Sequence, residues 1–230
     1  GSHTATFYAA AAKSITGANV APVLKVGTNA AAVAGSAVDA NGTVWAGDMY
    51  VVAATAADAL VAGSATVPAL CAWDPTDLVH YCDVATKLAG TANLLLIDAA
   101  TVALATATSA AVAVTVSSAK AASIKVAFDK ATYAPFEKAK ITITPVDADG
   151  KSLPAQTAAA LVTTGGITSD YSFGSTSDTL TAAGGITTSA LTGAKSYTVY
   201  MPAAGTITIS ATGGTALPGA AQVAYTATAT

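Results

Sequence analysis

The sequence predicts an all-β chain of two tandem β-sandwich domains, residues 4–118 and 119–230. Three observations carry that prediction. Apolar residues alternate with a period of two, turn formers break the runs at short intervals, and a pentapeptide recurs after about one sandwich length. Alanine is abundant and is the best helix former. The Leu, Glu, Arg and Gln that long helices also use are scarce, however, and alanine here alternates with β-branched residues.

In chain order, Trp45 and Tyr50 flank a run that is apolar on both faces, with Met49, Val51 and Ala53 against Tyr50, Val52 and Ala54. Such a run is a central strand or one covered by a neighbour. Farther on, Ile124, Val126 and Phe128 share a face with Lys125 and Asp129 opposite. Ile141 with Ile143, then Tyr197, Val199 and Met201, then Ile207 with Ile209 form further inward sets. Outward Thr, Ser and Lys mark these as half-buried antiparallel strands. Turns are expected at Gly17-Ala18-Asn19, Asn41-Gly42, Asp149-Gly150, Gly165-Gly166, Gly184-Gly185 and Gly213-Gly214. The stretch 163–190, rich in Ser, Thr and Gly, is expected to form long loops or edge strands.

The internal repeat sets the domain organisation. Val38-Asp39-Ala40-Asn41-Gly42 returns as Val146-Asp147-Ala148-Asp149-Gly150. Ala89-Gly90-Thr91 returns as Ala204-Gly205-Thr206, with Tyr81 upstream of the first and Tyr197 and Tyr200 upstream of the second. The closing run Ala111–Val116 is echoed by Gln222–Thr226. These landmarks keep their order, which predicts a duplication joined near Ser117–Ala121. Gly1-Ser2-His3 reads as the remnant of an expression tag. Thr4-Ala5-Thr6-Phe7 reads as the end of a closing strand, so a longer array is expected.

Composition excludes several classes. Hydrophobic residues make up 53% of the 230 and charged residues 10%, the reverse of a disordered chain. The 19 glycines have no collagen period. The longest uncharged stretch, 99–119, is broken by Thr and Ser and lacks the Leu, Ile and Phe of a membrane span. All ten basic residues are scattered lysines, with no arginine, so neither nucleic acid nor an anionic membrane surface is an expected partner.

Cys71 and Cys82 bracket a segment holding Asp74-Pro75 and Asp77, which are turn formers. A disulfide closing this hairpin is the expected arrangement, set against two buried thiols. It places the protein outside the cytoplasm. Zinc is disfavoured, because only His80 is near.

Residues 130–143, from Lys130-Ala131-Thr132-Tyr133-Ala134-Pro135-Phe136-Glu137 onward, followed by Val146-Asp147-Ala148-Asp149-Gly150-Lys151-Ser152-Leu153-Pro154, resemble a bacterial Ig-like domain. Phe136 stands where that family usually has glycine. The resemblance covers 120–230 and, more loosely, 14–118. It implies immunoglobulin-like sandwiches, secretion and a structural or adhesive role at the bacterial cell surface, as in surface layers (S-layers) and the stalks of invasin-like adhesins. It brings no catalytic residues.

Asp147 and Asp149 are the candidate calcium ligands, but a β-turn with Asp at its start and Gly accepting positive φ explains the same residues. His80 is expected to sit exposed beside Tyr81, without the nucleophile and orienting acid of a triad. Paired glycosidase carboxylates find no support in a chain with one glutamate, Glu137. Trp73, Asp74 and Asp77 are the candidate glycan readers, although Trp73 is expected to pack over the disulfide or a neighbouring domain. Asn41-Gly42-Thr43 is a glycosylation sequon read as a turn. The expected function is non-enzymatic self-association in a surface layer or stalk, without a cofactor. The alternatives are a carbohydrate-binding adhesin module and a phage virion decoration or tail protein.

Overall fold

The period-two code is realised directly in the strand Ser123–Phe128, where Ile124 is buried while Lys125 and Ala127 face solvent. A computed structural model describes residues 7–21, 23–118, 120–154, 157–180, 186–188 and 193–230. The tag remnant, Thr4–Thr6, Ala119 at the domain junction and the Gly184-Gly185 turn lie outside the described residues. The chain divides into two compact units, Gly1–Ser118 and Ala119–Thr230.

The first unit contains β1 (Ser14–Asn19), β2 (Leu24–Lys25), β3 (Gly27–Val38), β4 (Tyr50–Ala53), a short helix at Asp58–Val61, β5 (Ala69–Leu70), β6 (Ala72–Asp74), β7 (Val79–Thr86), β8 (Gly90–Ile97) and β9 (Val112–Ser117). One sheet has the order β1-β3-β7-β6 and the other β2-β9-β8-β4-β5. Between them Val33, Trp45, Met49, Val84, Leu94, Leu96 and Val114 form a continuous core. As its two apolar faces require, β4 is interior to its sheet, paired on both sides with Val51, Val52 and Ala53 buried.

The second unit contains β10 (Ser123–Phe128), β11 (Lys138–Val146), β12 (Thr157–Ala158), β13 (Val162–Ser169), β14 (Ile186–Thr187), β15 (Lys195–Tyr200), β16 (Ile207–Gly213) and β17 (Ala224–Ala229). Its sheets run β10-β11-β15 and β13-β16-β17, with β12-β14 as a small pair. Ile141, Ile143, Leu161, Ile186, Val199 and Ile209 fill its core. The order β10-β11-β15 mirrors β1-β3-β7, and β13-β16-β17 mirrors β4-β8-β9.

The duplicated pentapeptide forms the same turn twice. Gly42 N donates to Asp39 O at 3.1 Å, and Gly150 N to Asp147 O at 3.0 Å. Asp39 Oδ1 accepts from Asn41 N and Thr43 N, as Asp147 Oδ1 does from Asp149 N and Lys151 N. Gly42 and Gly150 have φ of 77° and 74°, the left-handed region that glycine enters without steric cost.

Two expected turns are strand instead, and a third starts one residue later. Gly17-Ala18-Asn19 lies within β1, because a Cβ on Gly17 would come 2.5 Å from Val112 Cγ2 and glycine there permits close sheet packing. Gly165-Gly166 lies within β13, where Gly166 at φ 68° absorbs the register shift between Val162 and Ile167, a bulge rather than a reversal. Gly213 ends β16, and the turn begins only at Gly214, whose carbonyl accepts from Leu217 N.

Candidate functional site

Cys71 stands between β5, which pairs with β4, and β6, which pairs with β7, so the chain changes sheets at this residue. Its N–H donates to Met49 O at 2.8 Å. Its sulfur is bonded to that of Cys82 on β7 (S–S 2.04 Å), and both residues are buried. The cross-link fixes the crossing strand to the inner face of β7.

His80 is not exposed. Burial alternates along β7, so His80 points inward with Cys82, Val84 and Thr86. Its ring lies between Trp45 (centroids 5.9 Å apart) and Trp73 (4.7 Å), and Nε2 donates to Gly47 O at 2.7 Å. Nδ1 is buried without a partner. Burial pushes the imidazole pKa below its ordinary value and keeps the ring neutral. Asp77 Oδ2 accepts from Tyr81 OH and Asp83 Oδ1 from Ala31 N, each at 2.8 Å, and the carboxylate whose charge reaches the ring, Asp48, opposes the effect of burial. The buried imidazole, donating to a carbonyl and closed between two indoles, packs the interior beside the disulfide. The parity of Cys82 and His80 on one strand was the sequence signal for this aromatic stack.

Trp73 is half-buried, and its ring contacts that of His80. Asp74 Oδ1 accepts from Thr76 N and Asp77 N and closes the hairpin turn. Trp73, Asp74 and Asp77 are therefore brought together on one hairpin, with Asp74 held by the turn and Asp77 by Tyr81.

The same use of carboxylates recurs throughout. Asp58, Asp83, Asp98, Asp129, Asp170 and Asp178 each accept a backbone N–H, from Asn93, Ala31, Ala107, Lys140, Thr208 and Thr198 respectively. Thr55's hydroxyl, with the N–H of Asn93, holds Asp58 below the usual carboxylate range. Of the two calcium candidates, Asp147 is buried with Oδ1 engaged in the turn, whereas Asp149 is exposed. Asp147 Oδ2 is buried without a partner, while its counterpart on Asp39 accepts from Ala9 N at 2.9 Å. Two carboxylates, one facing into a turn and one into solvent, do not make the six-oxygen shell that calcium takes. No group of three or more His, Cys, Asp or Glu that could hold a metal exists among the described residues. Nor, among them, is any helix long and apolar enough to cross a membrane.

No family model and no curated protein matches the chain. Solved structures do match. The Escherichia coli adhesin FdeC is similar at 19% identity over 99% of this chain and 66% of that one, with a TM-score of 0.31. The Yersinia pseudotuberculosis adhesin InvE is similar at 12% identity over 94% of this chain and 58% of that one, with a TM-score of 0.29. Domains 5–6 of the S-layer protein SbsC are similar at 14% identity over 91% of this chain and 92% of that one, with a TM-score of 0.28. The chain thus spans less than two thirds of the length of either adhesin structure.

Proposed function

We propose that the chain is a non-enzymatic segment of an extracellular bacterial surface-layer or stalk protein, built from two tandem Ig-like domains that associate with identical copies. The observation that carries this reading is the use of the acidic side chains. Asp39, Asp74 and Asp147, with the six aspartates above, accept backbone hydrogen bonds that hold loops, and the one native imidazole is closed between two indoles. Carboxylates engaged with backbone N–H groups in this way serve shape rather than turnover.

The outer faces support the associative part. β17 presents Ala224, Thr226 and Thr228, and β15 presents Ser196 and Tyr200. Small, uncharged side chains are cheaply desolvated, and interface cores are depleted of charge. The Cys71–Cys82 bond supports secretion.

Sedimentation velocity and electron microscopy of the soluble chain over a rising concentration series test the reading. Concentration-dependent, ordered assemblies are expected. A strict monomer at every concentration that binds a glycan array, with binding lost in Trp73→Ala, would replace it with the recognition-module reading.

A further inference from the structure

Asn41 and Gly42 form the tip of the first duplicated turn, between the bridged residues Val38 and Val44. Asn41 is exposed, and among the described residues its side-chain amide has no hydrogen-bond partner, while its backbone N–H donates to Asp39 Oδ1 at 2.8 Å. That amide is free to rotate toward the next residue. Gly42 stands at φ 77°, and a Cβ placed on it would meet nothing within 4 Å. Solvent base therefore reaches its N–H, and a ring closing on its nitrogen finds room. The restraint on that nitrogen is its hydrogen bond to Asp39 O at 3.1 Å, on an exposed turn of the kind that opens locally at little cost.

The other three asparagines lack this combination. The side-chain amide of Asn19 donates to Ala113 O, that of Asn29 donates to Lys25 O, and Asn93 lies within β8. Each is followed by a residue with a Cβ, respectively Val20, Ala30 and Leu94, which crowds the nitrogen that would have to react.

We propose that Asn41 is a self-modification site that converts to aspartate and isoaspartate. The deprotonated Gly42 nitrogen attacks Asn41 Cγ and closes a five-membered succinimide. The Cγ–Nδ2 bond breaks, and the amide leaves as ammonia, its added proton replacing the one Gly42 gave up to solvent. Water then opens the ring. Cleavage between Cγ and the Gly42 nitrogen gives aspartate, and cleavage at the main-chain carbonyl gives isoaspartate, with the backbone routed through the side chain.

The second copy of the turn shows what aspartate does there. Asp149 stands where Asn41 does, and Asp149 N, Gly150 N and Lys151 N bond to Asp147 as their counterparts bond to Asp39. Aspartate thus preserves the turn and takes the formal net charge of −3 one unit more negative. Isoaspartate adds a backbone carbon between the ends joined by Thr43 N to Asp39 Oδ1 and Asp39 N to Thr43 O, and it cannot keep both bonds. The same segment leads to Trp45, whose N–H donates to Ala37 O, so the damage extends toward the aromatic stack.

Peptide mapping of the folded chain held in mildly alkaline buffer is the test. A gain of about 1 Da is expected, confined to the peptide carrying Asn41-Gly42. Its rate should rise about tenfold per pH unit, because only the deprotonated nitrogen attacks. Asn41→Gln, which would have to close a larger ring, should abolish the gain. After separation by ion exchange, the aspartate form should melt with Asn41→Asp, and the isoaspartate form should melt lower. A gain seen in urea-unfolded but not in folded protein would overturn the proposal, as would a gain spread equally over Asn19, Asn29 and Asn93.

Discussion

Replacing Cys71 and Cys82 together by alanine should lower the stability of the first unit by about 3 kcal/mol. The bond closes a loop with a sequence separation of 11. Cross-linking a loop of that length removes about 9–10 cal/mol/K from the unfolded chain, or ~2.8 kcal/mol at 25 °C. The native-state cost of the exchange is small, because alanine keeps both buried positions apolar. With an unfolding entropy of about 2.1 cal/mol/K per residue, a unit of this size would melt about 12 °C lower. Calorimetry of the whole chain is the assay, since the second unit contains no cysteine and its transition serves as an internal reference. Mass spectrometry after alkylation of folded protein must show no free thiols. A loss below about 1 kcal/mol, or both transitions moving together, would refute the reasoning, because the entropic effect of this cross-link is confined to the chain it closes.

Phe136→Gly should raise the stability of the second unit by about 0.5–1 kcal/mol in urea denaturation, the relief of a bulky residue held at φ 61° less the extra backbone entropy of glycine. A loss of stability would show that the exposed ring packs internally. Gly214→Ala should cost the same unit about 1–3 kcal/mol, since its Cβ would meet Ala160 O at 2.2 Å and backbone cannot yield as a side-chain tip does. Acidification should destabilise the chain in two stages. The folded His80 pKa is depressed by burial, so its contribution is complete above the unfolded value near 6.5 and is lost as pH falls through the folded value. Asp39, held low chiefly by Ala9 N, and Asp74, by Thr76 N, carry the same sign and act below about pH 4. Trp73→Ala, by uncovering the imidazole, should diminish the first stage in thermal melts taken between pH 7 and 5. An undiminished step would assign it to another group.

Much of this architecture was legible along the chain. The alternation of Ile141 with Ile143 and of Ile207 with Ile209 reports which side of a pleated strand meets the core, a local property with a period of two. The Asp39 and Asp147 turns were legible for the same reason: an Asx turn with a following positive-φ glycine closes within five residues. The Cys71–Cys82 spacing carried its own hairpin.

Glycine misled where its purpose was long-range. Gly17 permits β1 to approach Val112, about ninety residues away, and nothing local distinguishes that use from a turn. His80 was likewise decided by its surroundings, because Trp45 reaches it from the β3–β4 connection and Trp73 from β6, and they turn a titratable side chain into packing. The sequence by itself determined the alternating strands and the two Asx turns, since each arises from neighbours in the chain. Only the tertiary structure decided which side chains were withdrawn from solvent and which, like Phe136, were left in it, because burial depends on which distant segments meet.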